Sequence, residues 1–370
     1  MTGASAIAAL DGATLLGERA SNGGYKVPGL ASAGLGGSRL MPTRDGGWFA
    51  LTLLRTEDRA LVPAMLGIDF DGLIDNERIA EEVLKCDCAD LLERAREFGL
   101  PAASADEAPA SPPFEVTVTG PSRTRPDRPP LVIDLSAIWA GPLAGHLFHL
   151  AGAQVVKIES PTRPDLIRRD DPATFDIINQ GKASVLADLL DPAQRGALIE
   201  LIRRADVVIE SSRLRALAQL GVDAEALVRE TPGLVWLSVT GHGARGPAAH
   251  WAGVGNDCSV AAGLSRAMVE AGGEMGYVGD ALTDPLTGIT AARLGWQAWQ
   301  RGEACRVVFS MAAIGAQALA EERAFDRAAI DAELKAWSDG RGLPFPAVER
   351  RKLVDPVREI GVDTQAWLAC

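Results

Sequence analysis

Histidine, cysteine and tyrosine are scarce in this chain of 370 residues, which holds four, five and two of them. The cysteines are odd in number and scattered, and the only close pair, Cys86 and Cys88, is spaced too tightly for the CxxC of zinc or redox centres. His146 and His149 stand three apart in a helical pattern, but no thiol or acidic partner accompanies them. A disulfide framework is therefore not expected, and neither is a metal. Positive charge is also short: 37 Lys and Arg against 49 Asp and Glu leave a net charge of -12. Such a surface repels nucleic acid and anionic membrane, so neither is an expected partner, and any polyanionic ligand must meet a local basic patch. No apolar run reaches the roughly 18 residues that span a bilayer. The apolar start Met1–Leu16 lacks a basic leader region, and the expected location is cytoplasmic.

What remains is an Ala/Gly-rich globular composition, 47% hydrophobic with 39 glycines, in a chain long enough for two domains. Residues 1–105 read as a small α+β domain: a Gly-rich loop at Gly34–Ser38, a turn at Asp45-Gly46-Gly47, a strand at Trp48–Leu54, and helical spacing over 57–66 and 76–98, stopped by Gly99-Leu100-Pro101. Residues 106–130 are poor in large apolar groups and close on Pro126, Pro129 and Pro130, a linker by composition. From 131 to 325 short apolar runs alternate with helical segments: Leu131–Leu135, Ala153–Ile158, Ser184–Leu189, Asp206–Glu210 and Leu234–Val239. That alternation predicts an α/β fold, a Rossmann-like parallel sheet with helices on its faces. Residues 326–370 are taken as a helical tail.

The first strand-to-helix turn of that sheet, Ile138-Trp139-Ala140-Gly141-Pro142-Leu143-Ala144-Gly145, is not GxGxxG. It still permits close backbone approach beside a helix start, which suits a nucleotide-like ligand. Further on, the run Gly279–Gly288 carries two carboxylates four residues apart, Asp280 and Asp284, ahead of a helical pattern from Ile289. Pro285 biases Asp284 toward extended backbone, and Thr287-Gly288 reads as a tight turn into the helix.

Seven short segments occur in the order of one family: Val132–Ser136 with Ala140-Gly141-Pro142; Gly152–Pro161; Asn179–Ser184 with Ala187-Asp188-Leu189; Ala205–Glu210; Leu220–Asp223; Gly241-His242-Gly243 with Gly246-Pro247; and Asp284–Gly288. Together they resemble the class III CoA-transferases, a family spanning formyl-CoA and L-carnitine CoA-transferases and sharing its fold with α-methylacyl-CoA racemases. Residues 1–105 resemble the small domain of the same family, which normally follows the large one. The resemblance therefore implies a transposed order or, alternatively, the remnant of a fused upstream copy.

The resemblance implies coenzyme A as the carrier, an acyl-CoA and a carboxylic acid acceptor as partners, and a homodimer, interlocked in the family. It places the nucleophile on Asp284, by its distance to Thr287 and Gly288, with Asn256, Asp257, Asp280, Gly36 and Gly37 in the substrate pocket. It implies CoA contacts from Ile138, Trp139, Ala140, Lys182, Ser211, Ser212 and Arg213, although Glu210-Ser211-Ser212-Arg213 keeps only the Arg of the usual pattern. In the family's racemases a His beside an Asp pairs with the shared aspartate. The matching segment here is Gly255-Asn256-Asp257-Cys258, and Asn exchanges no proton near neutral pH. With His242 and His250 as the substitutes, racemisation is the alternative activity, and a CoA-binding protein that has lost its chemistry is a third reading. Trp236, Trp251, Trp296 and Trp299 are candidates for the wall of an acyl pocket.

Overall fold

The computed structural model describes residues 10–34 and 37–368. Near the N-terminus three strands, β1 (Ser38–Pro42), β2 (Trp48–Thr52) and β3 (Ala102–Ser104), form an antiparallel sheet in the order β1-β2-β3. Helices Thr56–Leu66, Asn76–Val83 and Cys88–Glu97 pack on it around Phe49, Val62, Met65, Ile79 and Leu91. The single helix expected over 76–98 is thus two. Asp75 caps the first by accepting from the Arg78 amide, and Asp87 starts the second. Gly99, at φ +68°, supplies the left-handed residue that ends it.

The main sheet has seven strands: β4 (Phe114–Gly120), β5 (Leu131–Asp134), β6 (Gln154–Glu159), β7 (Ala183–Leu186), β8 (Val207–Glu210), β9 (Val235–Thr240) and β10 (Ala304–Ser310). Their order is β4-β10-β9-β8-β5-β6-β7, and all pairs are parallel except β4 with β10. Alternation sends Val132, Val207, Val235, Leu237 and Phe309 to one face, against helices Ala140–Leu150 and Thr283–Arg301. Ile133, Val156, Val208 and Trp236 go to the other, against Pro192–Arg204 and Ala224–Glu230. Each such side chain contributes about 1.5–3 kcal/mol by leaving water, which is why these runs read as continuous apolar strands.

Residues 106–130 are not only a linker, because β4 lies within them. As an edge strand it is half solvated, and its Phe-Glu-Val-Thr-Val-Thr alternation dilutes the apolar signal. The C-terminal segment is helical only as far as Asp339 and again over Thr364–Leu368. Between them Pro344, Pro346 and Pro356 bar a helix, and the chain ties back to the body: the Gly181 amide donates to Pro356 O, and Arg351 Nε to Glu18 at 2.7 Å.

The strand order reverses between β5 and β8, the place where open α/β sheets present a crevice beyond their carboxyl ends. There the Ala137 amide donates to Ser211 Oγ at 3.0 Å, joining the two loops that leave the switch point.

Candidate active site

Helix Thr283–Arg301 begins six residues earlier than the apolar pattern suggested, so Asp284 lies in its first turn and Thr287-Gly288 lie inside it. The spacing of Asp284 and Gly288 then has a physical meaning. Residues four apart share a helix face. A Cβ at Gly288 would stand 2.6 Å from Ala140 O and 3.2 Å from Leu143 Cβ, so only glycine lets this helix cross Ala140–Leu150 closely enough to bring Ala140 to the Asp284 carboxylate. Gly255 is required for a similar reason, since a Cβ there would collide with Asp284 Oδ2 and come within 2.6 Å of Ala281 Cβ. Thr283 Oγ1 donates to Gly255 O at 2.9 Å and locks the two helix starts together. Thr287 Oγ1 is buried without a hydrogen-bond partner.

Ala140 and Gly255 are each the first residue of a helix, so Asp284 faces free amides from two helix starts. Burial nevertheless pushes its pKa up to about 7, against the downward pull of the Arg19 charge and of the Ala140 and Gly255 amides; the Asp280 charge adds to the rise. The carboxylate opens on a cavity of about 300 Å³ walled by Arg19, Ile138, Trp139, Val254 and Asn256 among others. Among the described residues, Ile138 (φ 72°) and Ala281 (φ 46°) are the only non-glycines with positive φ, and both line this cavity. Each such conformation costs about 1–3 kcal/mol and persists where the surroundings impose it.

Behind Gly255 runs a buried polar chain. Tyr277 Oη and Ser38 Oγ are 2.6 Å apart, Thr52 Oγ1 donates to Ser38 Oγ at 2.8 Å, and Thr52 also reaches Asp257 Oδ1 at 2.9 Å. Asp257 in turn accepts from the Val254 amide at 3.3 Å, at the start of helix Gly255–Ala261. The N-terminal sheet thereby holds the helix that presents Gly255. Burial raises the Asp257 pKa to about 7.

Of the residues singled out from sequence, Asp284, Asn256, Ile138 and Trp139 come together on the cavity, and the Ala140 amide acts on Asp284. Asp257 does not join them, because it faces Thr52. Asp280 is fully buried behind Arg19, with neither carboxylate oxygen hydrogen-bonded. Gly37 sits away from the cavity, its carbonyl accepting from the Leu53 amide, and Gly36 lies outside the described residues. Lys182 is not free to meet a phosphate. It is buried and its Nζ donates to Asp134, Pro142 O and Asn179 at 2.8, 2.8 and 3.0 Å. Ser212 bonds Glu210, while Arg213 reaches Gly99 O at 2.8 Å, bridging to the N-terminal unit.

None of the four tryptophans proposed for the pocket lines it. Trp236 lies under the sheet bonded to Glu210, Trp251 stacks under Arg96, and Trp296 and Trp299 pack on each other. His242, buried and held down to about 4 by desolvation, has its ligand atom within 4.8 Å of those of Asp257 and Cys258. It does not reach the cavity, and neither does His250.

The residue that sequence reasoning missed is Arg19. It comes from helix Gly12–Asn22 and lies between Asp171, 3.1 Å from Nε, and Asp280, 3.6 Å from Nη1, over the Trp139 ring at 5.0 Å. Its one signal in sequence is a position four residues after the buried Leu15, a cation on an otherwise inward-facing stripe.

A buried carboxylate faced by helix-start amides on a solvent-connected cavity is an arrangement that can support covalent chemistry. The family model of CoA-transferase family III matches residues 130–337, more than half of the chain, and the chain belongs to that family. It is 35% identical over 179 residues to a succinate–glutarate CoA-transferase of Agrobacterium fabrum, covering 44% of this chain and 45% of that protein. It is 35% identical over 127 residues to an acetyl-CoA:oxalate CoA-transferase of Acetobacter aceti, covering 33% of each. A crystal structure of a hypothetical protein from Mycobacterium tuberculosis aligns at 26% identity with a TM-score of 0.49, over 57% of this chain and 59% of that one. The chain thus spans less than half the length of the two curated relatives named.

Proposed function

We propose that this chain is an acyl-CoA:carboxylate CoA-transferase whose nucleophile is Asp284. The observation that carries the reading is the Asp284 carboxylate itself, desolvated yet opening on the cavity and faced by the amides of Ala140 and Gly255. The ionised carboxylate attacks the thioester carbonyl; the C–S bond breaks, and an aspartyl mixed anhydride and CoA thiolate result. The thiolate then attacks the aspartyl carbonyl, releasing the first acid as its carboxylate and leaving an aspartyl-CoA thioester. An incoming carboxylate reverses the sequence and takes the CoA. No proton is gained or lost, so the site needs no general acid; the two amides meet the charge that develops on the aspartyl carbonyl oxygen when the thiolate attacks it.

On this reading Ile138, Trp139 and Ala140 contact the pantetheine arm, and Ser211, Ser212 and Arg213, which follow β8 at the switch point, lie toward the nucleotide. Lys182 has no part in it. Asn256 beside Asp284 cannot return a proton to an α-carbon, which argues against racemisation. The same reading carries a cytoplasmic, metal-independent homodimer, with a small unit over 1–105 transposed ahead of the large one over 131–325. Among the described residues no helix is long and apolar enough to cross a membrane.

Incubation with an acyl-CoA followed by mass spectrometry is the test. A hydroxylamine-sensitive adduct on Asp284 is expected, and its absence in protein that measurably binds CoA overturns the proposal.

A further inference from the structure

We propose that Arg19 holds the reacting carboxylate of the acceptor, and that the acceptor is a monocarboxylic acid. The inference rests on the transferase reading and narrows it. Arg19 is the only basic residue among the described residues lining the 300 Å³ cavity, and it shares that wall with Asp284. The pantetheine arm keeps the phosphates of CoA far from its thioester, so a cation beside the nucleophile meets the acid, not the nucleotide.

The guanidinium is oriented before any ligand arrives. The Trp139 ring lies 5.0 Å from it and the Tyr25 ring 5.9 Å, and Nε donates to Asp171 at 3.1 Å. A guanidinium offers five donors in a planar fork that suits a carboxylate. Nη1 stands 3.6 Å from Asp280 Oδ1, beyond hydrogen-bond reach, and both Asp280 oxygens are buried without a partner. Asp280 therefore contributes charge from behind without saturating the fork. Burial raises the Asp280 pKa, which further weakens its claim on Arg19.

The rest of the wall decides the class of acid. Beyond Arg19 and Asp284 its polar groups are Asp170, Asp171, Thr174 and Asn256, none of them a cation, and its apolar part includes Leu54, Ile138, Leu166, Ile167 and Val254. A second carboxylate on the acceptor would find no cation and would face those aspartates. An apolar chain would find the aliphatic surface. The relatives named for succinate, glutarate and oxalate act on dicarboxylates, so the inference separates this chain from them.

The test uses the whole chain, butyryl-CoA as donor, and deuterated butyrate or glutarate as acceptors, in wild type, Arg19→Gln and Arg19→Lys. Loading of Asp284 is followed by mass spectrometry and its discharge by the acceptor concentration at half-maximal rate. At about pH 9, where Asp284 is ionised in all three proteins, the expected result is loading in each, with the butyryl-CoA requirement shifted several-fold less than the butyrate requirement. The butyrate requirement for discharge rises tenfold or more in Arg19→Gln and less in Arg19→Lys, and glutarate serves wild type at least tenfold worse than butyrate. Loading confirms a folded site, so a discharge requirement unchanged in both variants, equal shifts for donor and acceptor, or glutarate as effective as butyrate overturns the inference while leaving the transferase reading standing. No loading in wild type overturns both.

Discussion

Two groups of buried charges lie at the carboxyl ends of the central strands, and they are built on opposite rules. In the first, Asp134, Lys157, Asp165 and Lys182 balance two anions with two cations. Lys157 Nζ donates to Ser136 O and Asp165, Lys182 to Asp134, and Asp134 Oδ1 also takes the Ser136 amide. Burial works against the Asp134 charge, but Lys182 and Lys157 outweigh it and hold its pKa below the usual carboxylate range. In the second, Arg19 alone faces Asp171, Asp280 and Asp284, two carboxylate oxygens have no partner, and two neighbours carry positive φ. Buried charge that is fully paired positions loops; buried charge left unbalanced raises pKa values and stays available for a ligand. The comparison explains why Lys182, which motif resemblance offers as a phosphate contact, is instead the bolt that holds the loop after β5 against the start of β7.

The largest expected effect divides the two groups. Asp284→Asn should reduce transfer by more than about a thousandfold, as loss of a nucleophile does. It should also stabilise the fold. Because the folded pKa of Asp284, about 7, lies above the ordinary carboxylate value, the wild type bears an ionisation cost that is absent below about pH 4, grows as pH rises and is complete above about 7. Urea denaturation should therefore show Asn ahead by about 2–4 kcal/mol at pH 8 and by less at pH 5. Greater stability of wild type at pH 8 would remove the distinction between the groups.

Lys182→Met should act the other way, costing about 3–5 kcal/mol because Asp134 is left buried and unpaired. Its signature is unfolding at lower denaturant, with any folded remainder keeping its CoA requirement; a selective loss of CoA affinity would return Lys182 to the ligand. Gly288→Ala should cost about 1–3 kcal/mol by forcing the two helices apart, with a disproportionate loss of Asp284 loading as Ala140 withdraws. The smallest effect concerns pH. Loading of Asp284 should rise through pH about 7 as the carboxylate ionises, and Arg19→Gln, which removes the charge pulling that pKa down, should move the midpoint upward. A midpoint that moved down, or stayed, would show that Arg19 does not act on Asp284.

Much of this molecule is legible along the chain because it depends on local pattern. The buried runs of β5 to β9 declare themselves by apolar density, and Asp191-Pro192 opens its helix as cap and first residue, whereas the start of the Asp284 helix, which reads as a turn, does not declare itself. Edge strand β4 does not declare itself, since half its residues face water. Nor does β10, whose buried Ala-Cys-Arg-Val-Val-Phe-Ser mixes polar groups that only its neighbours satisfy: Arg306 reaches Ser238 and Glu210 across the sheet.

The candidate site divides along the same line. Asp284 and Gly288 stand out in sequence through the resemblance and their spacing, whereas Gly255, on another helix, meets Asp284 only in the fold. Arg19 lies 265 positions away from Asp284, on a helix outside the family match, and Asp257 turns to Thr52 in the N-terminal sheet. Which carboxylate faces the cavity, which faces a hydroxyl and which cation stands between them are decided by long-range packing. A charge has no preferred partner until the fold removes water and leaves it only the neighbours that tertiary structure supplies.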